Sequence, residues 1–142
     1  MANRALDWLA QAFHDLNHAR HALEDGDYDW ACFAAHQAAE KAVKGMLLAL
    51  GGEGWGHSIT RLLKDAGHQL QVPEDLLQAA RRLDKHYIPS RYPNGFDVGA
   101  PRDYYTASEA QEAIHDAQRI YEFCQQQVHQ SGSRPGSPSP LC

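Results

Sequence analysis

Between Tyr28 and Leu50 an apolar residue returns on nearly every turn of a 3.6-residue repeat: Trp30, Phe33, Ala34, Ala38, Ala42, Met46 and Leu50. A segment of this kind is a helix that must be covered on several sides, and its many alanines let neighbouring helices come close. The rest of the chain follows suit. Leu9, Ala12, Phe13, Leu16, Ala19 and Leu23 repeat at helical spacing and predict a first helix over 4–24, stopped at Gly26. The second helix ends at Gly51-Gly52, and Ser58 is a candidate cap for a short third helix over 59–66. Pro73, Glu74 and Asp75 open a fourth helix that reaches Arg82 or beyond. Thr106 with Glu109 forms a capping box ahead of Ala110, Ala113, Ile114, Ala117, Ile120, Tyr121 and Cys124, a fifth helix to about Val128. No strand-like alternation of useful length and no internal repeat interrupts this pattern. The expected fold is all-α, an up-and-down helical bundle of four longer helices plus one short helix, occupying residues 1–130. Residues 131–142 are Gly/Ser/Pro-rich with almost nothing to bury and read as a disordered tail.

At 142 residues the chain is sized for one domain. No apolar run approaches the roughly 18 to 20 residues needed to span a bilayer, so no membrane partner is expected. The opening MANRALDWLAQAFHDL carries acids at amphipathic spacing, unlike a signal or transit peptide. Three cysteines, Cys32, Cys124 and Cys142, lack metal-ligand spacing, and an odd number argues against a disulfide framework. The expectation is a cytoplasmic protein with reduced thiols and no cofactor. Its net charge of −5 excludes nonspecific polyanion binding over the whole surface. Yet Arg81, Arg82, Lys85 and Arg91 fall within eleven residues, so phosphate would be handled locally.

The segment 88–105 is long for a connection in a bundle, and long ordered loops tend to be functional. Tyr87, Tyr92, Tyr104 and Tyr105, four of the chain's 6 tyrosines, lie in it or at its edges. Arginine forks onto phosphate oxygens, and phenols offer stacking faces and hydrogen bonds to a base or ribose. Pro89 and Pro93 would hold Arg91 and Tyr92 between them; the alternative is that Arg91 pairs with an acid while Tyr92 packs. Arg81 and His86 form an R-x4-H spacing suited to metal-free RNA cleavage, with imidazole as acid or base and guanidinium stabilising the phosphorane. On an ideal helix the two side chains stand about 140° apart, so they converge only if the helix unwinds near Asp84. On the second helix His36, Glu40 and Lys44, with Gln37 and Lys41 one step round, make a polar stripe. It reads either as a solvated face with a Glu40–Lys44 ion pair or as a groove where Gln37, Lys41 and Lys44 meet Arg91. His14, His18 and His21 share a face of the first helix, with no carboxylate or cysteine in register to complete a metal site. Cys32 and Cys124 fall on apolar stripes and read as core.

Together, YDWACFAAHQAAEKAVKGMLLALG, GHSITRLL, LDKHYIPSRYPNG and YYTASEAQEAIHDAQRI resemble the HEPN domain of prokaryotes and higher eukaryotes, in the family's order from about Ala5 to Val128. The domain is also similar to the one at the C-terminus of sacsin. The resemblance implies an up-and-down bundle that dimerises, a cleft for nucleotide or polyanion near the dimer interface, and pairing with a minimal nucleotidyltransferase in toxin–antitoxin modules. Many members carry an R-x4–6-H motif as a metal-independent RNase site. Arg81 to His86 is the candidate here, but Arg82 follows the arginine where that branch has a polar residue, and Tyr87 directly follows the histidine. The RYP block, Arg91 to Pro93, resembles the nucleotide-binding members instead. It implies Arg91, Tyr92 and Tyr87 as nucleotide contacts, joined by Gln37, Lys41 and Lys44.

Three functions follow as expectations. The first is a dimeric module binding nucleotide or RNA phosphate beside a nucleotidyltransferase partner. The second is an endoribonuclease toxin using Arg81 and His86, and the third a pure protein-interaction module. Trp8, Trp30 and Trp55 add apolar surface beyond what such a bundle easily hides, which favours a homodimer.

Overall fold

The computed structural model describes residues 4–133. Helix α1 spans Ala5–Glu24 and turns back into α2, Tyr28–Ala49, which packs along it and also touches α3 (Ile59–Ala66), α4 (Glu74–Asp84) and α6 (Ala107–Ser133). Helix α5 is a single turn, Pro101–Tyr104, preceded by a 3-10 turn at Pro93–Gly95. Among the described residues there is no strand. The bundle is the expected all-α one, with α2 at its centre.

Alanine explains how one helix can face so many neighbours. Ala31, Ala35, Ala38, Ala39 and Ala42 are fully buried, and α1 and α6, which pack on α2, bring Ala12, Leu16, Ala19, Ala113, Ala117 and Ile120 into the same core. Small side chains bring helix axes close without a loss of rotamer freedom. The approach is close at Gly45, where a Cβ would lie 3.0 Å from Trp8 Cβ and 3.1 Å from the Ala5 carbonyl oxygen. Any larger residue there pushes the start of α1 away from α2.

Two polar ties fix α4 and α6. Arg82 donates from Nε and Nη2 to the two oxygens of Asp116, at 2.9 Å each. Asp116 is buried, so this forked pair satisfies a carboxylate that would otherwise lie dry. Further along, Arg119 pairs with Asp75. Arg82 is therefore a structural tie, and the cluster of cations read from sequence loses one member to the fold.

Helix α4 ends at Asp84, as a helix reaching Arg82 or beyond would; two features differ from the sequence reading, in that α5 forms inside the segment expected to be loop and α6 passes Val128 to reach Ser133. In the last case Ser131 is buried and its hydroxyl donates to the Ala49 carbonyl at 2.8 Å, one of the unpaired carbonyls at the end of α2. Of the tail expected over 131–142, residues 131–133 belong to α6, and 134–142 lie outside the described residues. The cysteines Cys32 and Cys124 are buried, and burial pushes the Cys32 thiol up to about 12.

Candidate functional site

Helix α4 stops at Asp84 because the chain tightens there: His86 N–H donates to the Leu83 carbonyl at 2.9 Å and Tyr87 N–H to the Asp84 carbonyl at 3.3 Å. Pro89, lacking a donor, keeps the helix from resuming. A further turn bonds Arg91 N–H to the Ile88 carbonyl at 3.1 Å. The Arg91 side chain then folds back over this turn, its Nε donating to the Tyr87 carbonyl at 3.0 Å. Its guanidinium carbon lies 4.2 Å from the centre of the Phe33 ring, 4.8 Å from Tyr87 and 5.0 Å from Tyr92. Arg91 makes no ion pair and no terminal-nitrogen hydrogen bond with any described residue. Aromatic faces attract a weakly hydrated cation without using its N–H donors. The two terminal nitrogens are thus fixed in direction and still available.

Tyr87 is the platform. Its ring stacks on His57 at 4.8 Å and 17°, and lies 5.1 Å from His36 and 6.2 Å from Phe33. His57 is held in turn by Glu40, with Nδ1 at 3.2 and 3.3 Å from the two carboxylate oxygens. Glu40 is 5% exposed and also accepts from Lys44 Nζ at 2.9 Å. A buried carboxylate must gather donors, and these two supply them.

Asp84 ties the other side of this network to α3. Its Oδ1 accepts from Ile59 N–H at 2.8 Å and its Oδ2 from Thr60 N–H at 3.0 Å and Thr60 Oγ1 at 2.7 Å. Ser58 Oγ lies 3.2 Å from Oδ2, and His36 Nε2 lies 3.3 Å from Oδ1. Burial alone would raise the Asp84 carboxyl, but bonds from His36, Thr60 and Ile59 outweigh it and hold it below the usual carboxylate range. The carboxylate thus caps α3 together with Ser58, which accepts from Arg61 N–H at 3.2 Å.

The remaining candidates are dispersed. Arg81 turns back to Glu74 at 3.2 Å, whereas His86 Nδ1 lies 3.1 Å from the Tyr105 hydroxyl. Although α4 ends where convergence would require it, these two side chains share no contact among the described residues. Burial lowers the His86 pKa, which favours the uncharged imidazole. Lys41 pairs with Asp15 and lines an open groove of about 710 Å³ with Arg4, just before α1, and Trp8 and His14 of α1. Lys44 is engaged by Glu40, and Gln37 Oε1 lies 3.2 Å from His36 Nδ1. Neither lysine contacts Arg91. The polar stripe of α2 is not a solvated face: His36 and Glu40 are buried. Sequence reasoning missed Phe33, counted among the apolar positions of the second helix, His57, which no motif singled out, and Asp84, noted only as the point near which the helix would have to unwind. The last two had one usable signal, a His and an Asp each next to a capping or helix-ending position.

The structure thus presents a half-buried arginine on an aromatic bed, its terminal nitrogens unpaired among the described residues, in an all-helical bundle. Comparison with known proteins gives the family: residues 5–127 match the HEPN domain, and the chain belongs to that family. The solved structure of the Thermus thermophilus protein TT1696 is 54% identical, covering 88% of this chain and 98% of its own, with a TM-score of 0.86. An archaeal HEPN homologue, ST0689, is 46% identical over 89% of this chain and 98% of its own, with a TM-score of 0.76. The HEPN domain protein TM0613 of Thermotoga maritima is 37% identical over 84% and 95%, with a TM-score of 0.70. A curated relative, "Putative toxin MJ1304" of Methanocaldococcus jannaschii, is 23% identical over 81% of this chain and 82% of its own length.

Proposed function

We propose that this chain is a HEPN module that binds the phosphate of a nucleotide or RNA at Arg91, with Tyr87 and Tyr92 as its aromatic walls. The observation that carries the reading is the Arg91 guanidinium, anchored through Nε and laid on three rings with both terminal nitrogens unpaired among the described residues. A fork held in this way meets two phosphate oxygens with little ordering left to do. Gln37 follows Phe33 by about one helical turn and Lys44 by about three, with Lys41 beside them. They serve as secondary contacts once phosphate competes with Glu40 and Asp15 for the lysines. The module acts in the cytoplasm as a homodimer beside a minimal nucleotidyltransferase, in a toxin–antitoxin-like pair. The name of the M. jannaschii relative, a "Putative toxin", supports the toxin side of this reading.

Calorimetry with AMP and ATP tests the site. Arg91→Lys keeps the charge and stem but lacks the fork, and is expected to weaken binding about tenfold or more while the melting temperature holds. Arg91→Ala should lose at least as much. Unchanged affinity in both variants overturns the assignment, as does unfolding of Arg91→Lys.

A further inference from the structure

A chain of rings passes through the Arg91 site and continues beyond it on both sides. Trp30 meets Phe33 edge-on at 6.1 Å, Phe33 lies 6.2 Å from Tyr87, and Tyr87 stacks on His57 at 4.8 Å. Arg91 covers the middle of this band. One end, Trp30, is 52% exposed; the other is His57, with Trp55 two residues earlier in the chain and 79% exposed, and Tyr92, against Arg91, is 48% exposed. Two residues reach at most about 7 Å, so Trp55 cannot leave the neighbourhood of His57.

Nor is the Trp55 loop slack. On one side Gly54 fits so closely that a Cβ would come within 3.0 Å of Leu47, Leu62 and Lys44 side-chain carbons. On the other, His57 is held by Glu40 and Tyr87. An indole is thereby kept in water between two fastened residues, where it adds nothing to the core and exposes a large apolar face.

We propose that the site takes a single-stranded oligonucleotide rather than a lone nucleotide, with Arg91 holding one backbone phosphate while Trp30 and Trp55 stack bases on either side. This rests on the Arg91 reading above and extends its footprint. One base next to Arg91 needs one ring, and Tyr92 already supplies it; the surplus of exposed rings on both sides matches successive bases. The net charge of −5 sets the terms of such binding: affinity must come from stacking and one paired phosphate rather than from a broad positive field.

Fluorescence anisotropy with a labelled hexaadenylate RNA, alongside calorimetry with AMP, tests this on the full chain. The RNA should bind at least tenfold more tightly than AMP. Trp30→Ala and Trp55→Ala should each weaken the RNA by about 5- to 100-fold and leave AMP within about twofold. Replacement by Phe should restore most of the loss. The logarithm of the RNA association constant should fall with that of salt concentration at a slope near −0.7, the value for about one phosphate. Equal affinity for the two probes, or Trp→Ala variants that bind RNA as the natural chain does, overturns the proposal. So does a fall in molecular mass in those variants with RNA binding intact, which would assign the indoles to a second copy of the chain. If Arg91→Ala weakens AMP but the RNA has no advantage, only the strand proposal falls. If that variant changes neither probe, the phosphate reading falls with it.

Discussion

Glu40 shows at the scale of one residue how the site is held. Its carboxylate is buried, yet two donors reach it, Lys44 from its own helix and His57 from the loop before α3. Removing it leaves the lysine without a partner, although that ammonium can still swing toward water along its stem. Glu40→Ala should therefore cost about 1–3 kcal/mol in urea unfolding. The more telling readout is local: amide exchange across 51–57 should accelerate, because His57 loses its anchor, while that of α6 stays as it was. Equal acceleration everywhere would mean that Glu40 supports the bundle at large.

Among the elements, α3 depends on a residue outside itself. Its first N–H groups at Ile59 and Thr60 are taken by Asp84 from the end of α4. Since these bonds hold the Asp84 pKa below its ordinary value, the ionised form stabilises the fold. That contribution is present above the unfolded value near pH 4 and is lost as pH falls through the lower folded one. Asp84→Asn should cost about 1–3 kcal/mol at pH 7 and flatten the acid limb of a stability-versus-pH curve. An unchanged limb would show that Asp84 is not the titrating group. Elements were legible where cause and effect lie close together in the chain. The Thr106–Glu109 box, with Glu109 N–H to Thr106 Oγ1 at 3.2 Å, needs a span of three residues and was readable. The Asp84 cap bridges about two dozen residues and was not. Helix α5 escaped because Pro101 starts it only one turn before Tyr105 ends it, too short for any periodicity. Arg91 and Tyr92 were legible through their proline frame, whereas Phe33 looked like any other core position of an apolar helix.

For the whole molecule, the question is what covers the outer face of α1. Leu6 and Phe13, two turns apart, are 46% and 48% exposed. Such a pair is suited to an interface, and the homodimer proposed here would use it. Light scattering should give about twice the 15.8 kDa of one chain, and Phe13→Glu should return the single-chain mass. A natural chain that weighs 15.8 kDa at micromolar concentration rules the dimer out. Packing offers an independent check at the same scale. Gly45→Ala should lower stability by about 1–3 kcal/mol, through overpacking against the α1 backbone rather than through any change in helix propensity.

Ser131 reaches across from the last turn of α6 to the Ala49 carbonyl, two residues before Gly51, where the Trp55 segment begins. How readily that segment lifts is consequently governed from near the far terminus of the polypeptide. Shortening the chain to residue 130 would release a clasp on the opposite side of the loop from His57, and the indole would sweep a wider arc before any strand arrived.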